Sequence, residues 1–329
     1  MQVSESRGSA SRGREARPEP GRTHPPAAPL ALRDVLAVLD GLYPPGLAQD
    51  WDRVGLVTGD LDQPVRIVHL AVDATLAVIR EAVDAHADLL VTHHPLLLRG
   101  VHGVATTTAK GAAVTSAVVG DLAIFCAHTN ADLARPGVCD ALAAVCGLEA
   151  VEPLRPEDRY AVGRVGTLPV PVTLRSFVEN LATRLPATAG GIRVAGPPGV
   201  TVQRVAVVGG AGDDRIDAVR AAQADVYVTA DLRHHPVLEA REESRGGPPY
   251  LVDAGHWASE WVWLASAERE LLAALGPAGA LGPAGAVGPA GAGRGPGGQE
   301  GVTVETYVSH LRTEPWDFVV AANADGGTS

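Results

Sequence analysis

The residues best equipped for chemistry lie in Asp253-Ala254-Gly255-His256-Trp257-Ala258-Ser259-Glu260. The apolar run Tyr250-Leu251-Val252 reads as a buried strand, Gly255 as a turn, and the Ala-, Leu- and Glu-rich sequence through Leu275 as a helix. Four residues apart on that helix, His256 and Glu260 share one face. They stand at its first turn, beyond the carboxyl end of a strand, where open α/β sheets hold ligands. One imidazole and one carboxylate make half a metal site, so the other strand ends matter.

Two of them carry suitable groups. His93-His94-Pro95 directly follows the apolar run Asp88-Leu89-Leu90-Val91-Thr92, and His128-Thr129-Asn130-Ala131-Asp132 follows Leu122–Ala127. Pro95 favours an extended His94. Neighbouring side chains of an extended segment point to opposite sides, so this pair is expected to serve two adjacent ions rather than grip one. Plainer readings exist: loop histidines, and for Asp132 a turn or helix-cap residue.

Together His93, His94, Asp132, His256 and Glu260 offer three imidazoles and two carboxylates, too many for one tetrahedral zinc site. They suit two divalent ions roughly 3.5 Å apart, with one carboxylate bridging and water filling the open positions. Glu260 is the expected bridge. Zinc, iron and manganese all accept such nitrogen and oxygen donors. A centre of this kind supplies Lewis acidity and activated water, which is hydrolytic equipment. His128 and His235 are the candidates to relay protons.

Positioning these groups requires α/β architecture. Leu32–Leu39 has helical spacing, whereas Trp51–Leu56 is too glycine-spaced for a helix. Val65–Val72, a helix over Thr75–Ala87 and the strand before His93 form a βαβ unit, hence a parallel sheet with a right-handed crossover. A helix opening at Lys110, the strand Leu122–Ala127 and a helix over Val138–Cys146 complete a first lobe, residues 29–150. A linker over Glu152–Tyr160 leads to a second lobe, 151–275. Its strands are Val162–Val170, Val202–Val208 and Tyr250–Val252, and a helix spans Leu174–Leu185.

Gly209-Gly210-Ala211-Gly212 reads as a tight strand-to-helix turn, since it lacks the spacing of a dinucleotide-binding loop. Ala87–Pro95 is echoed by Ala224–Pro236, with four extra residues before the second His-His-Pro. The echo predicts two related, facing α/β lobes with mixed sheets and the metal site between them. The extra residues should displace His234 and His235 into a pocket-lining role.

Residues 1–28 have almost no large apolar side chains and read as a disordered leader. Residues 276–300 repeat Gly, Pro and Ala and read as a flexible insert. A closing strand and C-terminal segment over 301–323 and a tail over 324–329 finish the chain. The formal net charge of −11 argues against nucleic acid and anionic membrane surfaces as partners. The beginning shows no secretory apolar region. Three cysteines without a C-x-x-C pair read as reduced thiols of a cytoplasmic protein.

The motifs Trp51-Asp52-Arg53-Val54-Gly55-Leu56, Val91-Thr92-His93-His94-Pro95, Ala127–Asp132 and Asp253–His256 with Glu260 resemble those of the GTP cyclohydrolase 1 type 2 / Nif-three-like proteins. The resemblance runs from about residue 30 to 320, leaving out the glycine-rich insert. It implies a two-lobed α/β subunit, a dinuclear metal centre on His93, His94, Asp132, His256 and Glu260, and a toroidal homohexamer whose sites face an internal cavity. It also implies a metal-dependent hydrolase acting on a nucleotide or related small molecule; the alternative is a non-enzymatic metal-binding hexameric scaffold or regulatory protein. The chain departs from the family pattern in its leader, its insert, Ala131 and the acidic Gly212-Asp213-Asp214 turn.

Overall fold

Short, largely apolar runs form the inner strands of two sheets. Leu89–Thr92, Ala123–Cys126, Val226–Ala230 and Tyr250–Asp253 are buried at every position, as strands covered by helices on both sides must be. A computed structural model describes residues 29–156, 162–276 and 304–320. The leader 1–28, nearly all of the insert 276–300 and the tail 324–329 lie outside the described residues.

The first sheet has five strands in the order Glu305–Val308, Ile67–Ala71, Leu89–Thr92, Ala123–Cys126, Gly55–Thr58. The first four run parallel and the last antiparallel. The second sheet has six, in the order Glu149–Pro153, Arg164–Thr173, Thr201–Ala211, Val226–Ala230, Tyr250–Asp253, Arg193–Ala195. Its three central strands are parallel and its outer ones antiparallel. The result is the expected pair of mixed α/β lobes. Each has a parallel centre whose carboxyl ends carry the chemically active residues.

The lobes exchange helices. Val138–Val145 follows the first sheet in sequence, yet Leu142 and Ala143 pack in the core beside Val205, Val207 and Val228 of the second. Conversely, Leu264–Leu275 follows the last parallel strand of the second sheet, and its Leu264, Ala267 and Leu271 join Leu32, Val35 and Leu39 in the first core. Buried Arg164 fastens one crossing. Its Nε and Nη2 donate to the two carboxylate oxygens of Asp140 at 2.7 and 2.8 Å, and Nη2 also donates to the Ala134 carbonyl at 2.8 Å. A bidentate pair of this kind fixes orientation as well as distance. The segment just after Asp132 is thereby tied to the second sheet.

Several local expectations change. The helix expected through Leu275 is two helices, His256–Trp261 and Leu264–Leu275. Glu149–Pro153, partly read as linker, is an edge strand, and 157–161 are outside the described residues. The Gly209–Gly212 segment is no simple turn. The strand runs on to Ala211 with a register shift between Val207 and Ala211, and Gly210 has φ +65°. In the second His-His-Pro, the histidines open the helix His234–Glu243 instead of ending a strand.

Candidate metal centre

Six strand ends meet where the lobes face each other. From the first sheet come Asp73 after Ile67–Ala71, His93 and His94 after Leu89–Thr92, and His128 and Asp132 after Ala123–Cys126. From the second come Gly210 within Thr201–Ala211, Asp231 after Val226–Ala230, and His256 and Glu260 after Tyr250–Asp253. His128 precedes the short helix Thr129–Leu133, which carries Asp132 inward.

Four imidazoles are oriented in the same way. The Nδ1 of His93 donates to the Ala127 carbonyl at 3.0 Å, and that of His94 to Asp73 Oδ1 at 2.8 Å. The Nδ1 of His128 donates to Asp52 Oδ1 at 2.9 Å, and that of His256 to Asp231 Oδ2 at 2.8 Å. Carbonyl and carboxylate oxygens can only accept, so each Nδ1 carries the hydrogen and each neutral ring keeps its lone pair on Nε2. Fixing a histidine tautomer through the outer nitrogen is how metal-ligating imidazoles are held.

Three of those Nε2 atoms, of His93, His94 and His256, converge on Glu260. His256 and His94 approach its Oε1 and Oε2 respectively, both at 3.1 Å, and His93 approaches Oε1 at 3.4 Å. His93 Nε2 also lies 3.7 Å from Asp132 Oδ1, and the Nε2 atoms of His94 and His256 are 3.2 Å apart. Two donors on one ion at bond lengths of about 2.1 Å and near-tetrahedral angles stand roughly 3.4 Å apart, so this spacing suits a cation. Glu260 Oε2 and Asp132 Oδ1 are buried with no hydrogen-bond donor aligned on them. Electron pairs converging without hydrogens between them require positive charge. Divalent metal fits the donors present; the chain alone must use protons.

The electrostatics agree. Burial works against charge on His94 and His256, yet Glu260 outweighs it, raising His94 well above its usual range and His256 to about 9. Glu260 is held well below the usual carboxylate range, because His94, His93 and His256 overcome its burial. Asp132, buried and beside Glu260, is pushed up to about 7.

The expected opposite pointing of His93 and His94 does not occur. The chain bends at both residues and their ring centroids lie 5.0 Å apart, so each imidazole meets a different oxygen of the same Glu260 carboxylate. His128 joins them, its ring 5.2 Å from that of His93 and 5.5 Å from that of His94. His235 is elsewhere, exposed on the first turn of its helix with its ring 5.1 Å from that of His234. Among the described residues no contact joins His235 to the cluster. His234 lines a cavity of about 390 Å³ against the edge strand Arg193–Ala195.

The chain as a whole matches a known family. The Duf34/NIF3 (NGG1p interacting factor 3) family model matches residues 30–278. The chain belongs to that family. It is 52% identical over 237 residues to a Streptomyces coelicolor "GTP cyclohydrolase 1 type 2 homolog", covering 70% of this chain and 82% of that one. A Mycobacterium tuberculosis protein of the same description is 36% identical, over 75% of this chain and 93% of the other. Among solved structures, a Bacillus cereus protein related to NIF3 superposes with a TM-score of 0.75 at 23% identity, covering 89% of this chain and all of that one. The NIF3 fold is therefore established, and the Trp51, His93, His128 and His256 motifs all fall within the family match.

Two acids and one glycine of this NIF3-family centre escape sequence reading. Asp73 and Asp231 hold His94 and His256, and the only signal for either is an Asp just after a buried strand. Asp231 adopts φ +51°, a left-handed conformation that Asp tolerates better than most residues. Gly210 leaves no room for a side chain: a Cβ there would stand 2.2 Å from Glu260 Oε1. Its neighbours anchor it, since its N–H donates to Ser259 Oγ at 2.9 Å and its carbonyl accepts from Thr229 Oγ1 at 2.9 Å.

Proposed function

We propose that this NIF3-family protein holds two divalent cations and is a metal-dependent hydrolase acting on a nucleotide or a related C–N or phosphoester substrate. The observation that carries the reading is the set of Nδ1-anchored imidazoles turning their Nε2 atoms onto the two oxygens of buried Glu260. In this reading His94 and His256 would hold one ion, His93 and Asp132 the other, and the Glu260 carboxylate would serve both. Zinc, iron and manganese all suit these donors.

Bound there, the cations supply Lewis acidity and lower the pKa of water. The protein's own groups do the rest. Asp73 and Asp231 keep Nε2 of His94 and His256 directed inward. His93 and Glu260 are buried and Asp132 is nearly so, whereas His94, His256 and Asp231 are more open to solvent, so substrate approaches from the latter side. His128 has its Nδ1–H committed to Asp52, leaving Nε2 to accept a proton released in the site. Burial opposes charge on Asp52, yet hydrogen bonds from His128 and Thr129 keep it ionised, ready to stabilise the resulting imidazolium.

The nucleotide rests on the likeness to the Streptomyces and Mycobacterium proteins described as GTP cyclohydrolase 1 type 2 homologs. A homohexamer follows from the sequence resemblance, and light scattering on purified protein tests it. No helix among the described residues is long and apolar enough to cross a membrane. Cys126, Cys139 and Cys146 are all free and buried, which suits a reducing, cytoplasmic setting.

Metal analysis of purified protein, paired with a hydrolase screen over nucleotides and phosphoesters, tests the reading. Two ions per chain and turnover abolished by Glu260→Gln are expected. Two ions with no turnover in the wild type would favour the scaffold reading, and absence of metal would end both.

A further inference from the structure

The geometry points to the C-terminal segment Ser309–Thr313 as a clasp that holds both halves of the metal centre in register, with Thr313 as a positioning residue for His94. The inference rests on the metal-centre reading above, and the clasp lies beyond residue 278, where the family match ends.

The segment starts at the end of Glu305–Val308, which pairs in parallel with Ile67–Leu70, so both strands leave the sheet at the same end. Asp73 lies three residues beyond Leu70. Ser309 continues the ladder, its N–H donating to the Leu70 carbonyl at 2.8 Å. From there the contacts are polar and divide between the lobes. The Ser309 carbonyl accepts from Trp261 Nε1 at 3.0 Å, and Trp261 directly follows Glu260 on the helix carrying His256. Thr313 Oγ1 donates to Asp73 Oδ2, while Asp73 Oδ1 accepts from His94 Nδ1 at 2.8 Å.

One short segment therefore touches the carboxylate behind His94 and the helix behind Glu260. Between these anchors it is lightly packed. Ser309 is buried and Thr313 half-buried, while His310, Leu311 and Arg312 are exposed. A segment contributing mainly apolar burial would show the reverse pattern. The Thr313 hydroxyl occupies the second oxygen of Asp73 and fixes the carboxylate plane. With that plane fixed, His94 Nε2 stays aimed at Glu260 Oε2, 3.1 Å away. Hydrogen-bonded partners of ligating histidines typically govern metal affinity by about 10- to 100-fold. Thr313 acts one bond further out, so the lower end of that range applies.

The test uses the full chain and Zn²⁺ alone. Stepwise binding is measured by competition with a chromophoric chelator for wild type, Thr313→Val, Thr313→Ser and Trp261→Phe, alongside the melting temperature of each metal-free protein. Thr313→Val should weaken one of two Zn²⁺ steps about 10-fold while leaving the other step and the metal-free melting temperature unchanged. Thr313→Ser should restore wild-type binding, because it restores the hydroxyl. Trp261→Phe, which removes the indole N–H that donates to the Ser309 carbonyl, should weaken binding. Wild-type affinity for both ions in Thr313→Val would overturn the clasp, as would equal loss at both steps with a lowered melting temperature and no rescue by serine. A wild type that binds fewer than two Zn²⁺ removes the metal-centre reading, and the clasp falls with it.

Discussion

Gly210 and Glu260 approach so closely that the pair admits no side chain at position 210: an added Cβ would lie 2.2 Å from Glu260 Oε1 and 3.3 Å from His256 Nε2. Gly210 also has φ +65°, which costs other residues roughly 1–3 kcal/mol. Gly210→Ala should therefore displace Glu260 and lower metal content below two ions per chain, with a lower melting temperature. Gly190→Ala, where a Cβ meets nothing within 4 Å, should alter neither. Elemental analysis and thermal melts of both variants check this. Full metal content in Gly210→Ala would show that the bridge does not depend on this contact.

Asp231 offers a clean probe of histidine orientation, because its carboxylate is largely exposed and its φ of +51° suits glycine. Asp231→Gly should keep the fold and weaken metal binding by about 10- to 100-fold. Asp231→Asn, which retains an acceptor for His256 Nδ1, should fall between. Chelator competition ranks the three proteins, and equal affinities would remove Asp231 from the centre.

How much of this was legible in sequence follows from what each residue's role depends on. The spacing of His256 and Glu260 is local, so their shared helix face could be read directly, as could the apolar runs that end at His93 and His128. Asp73 and Asp231 carry no local signature, because their partners are 21 and 25 residues away. Gly210 resembled a turn residue, since only the folded centre brings Glu260 against it. The helix exchange was hidden for a similar reason: the apolar stripe of Leu264–Leu275 records that a face is buried, not which sheet receives it. His235 lies on the first turn of the helix His234–Glu243, and among the described residues no contact joins it to the cluster.

The pH response has a definite sign. In the metal-free chain Glu260 raises His256 to about 9, and burial with Glu260 raises Asp132 to about 7. A group whose folded pKa is raised stabilises the fold below its unfolded pKa and loses that contribution as pH rises through the folded value. The metal-free protein should therefore lose stability from about pH 4 to 7 through Asp132 and from about pH 6.5 to 9 through His256. Cations must displace the same protons, so metal affinity should rise across the upper window. Thermal melts with excess Zn²⁺ and with chelator should show a gap that widens between pH 6.5 and 9. A constant gap contradicts the assignment of His256.

Asp52 lies on the other side of the centre. Its Oδ1 accepts from His128 Nδ1 at 2.9 Å and from the Arg53 N–H at 2.7 Å, and its Oδ2 from Thr129 N–H at 3.0 Å and Oγ1 at 2.6 Å. Asp52→Ala leaves several donors unpaired and should cost about 1–3 kcal/mol or more in denaturant unfolding. Because the folded pKa is depressed, the ionic part of the wild-type advantage should be complete at pH 7, begin to decline near pH 4 and be lost progressively below it. An unchanged unfolding midpoint at pH 7 would show that the Asp52 network is not structural.

The most direct measurement is a crystal structure of the metal-loaded protein with anomalous scattering data collected at the edge of the bound element. Two peaks roughly 3.5–4 Å apart are predicted, one between His94, His256 and Glu260 and one between His93, Asp132 and Glu260. A single peak, or peaks away from Glu260, would contradict the account.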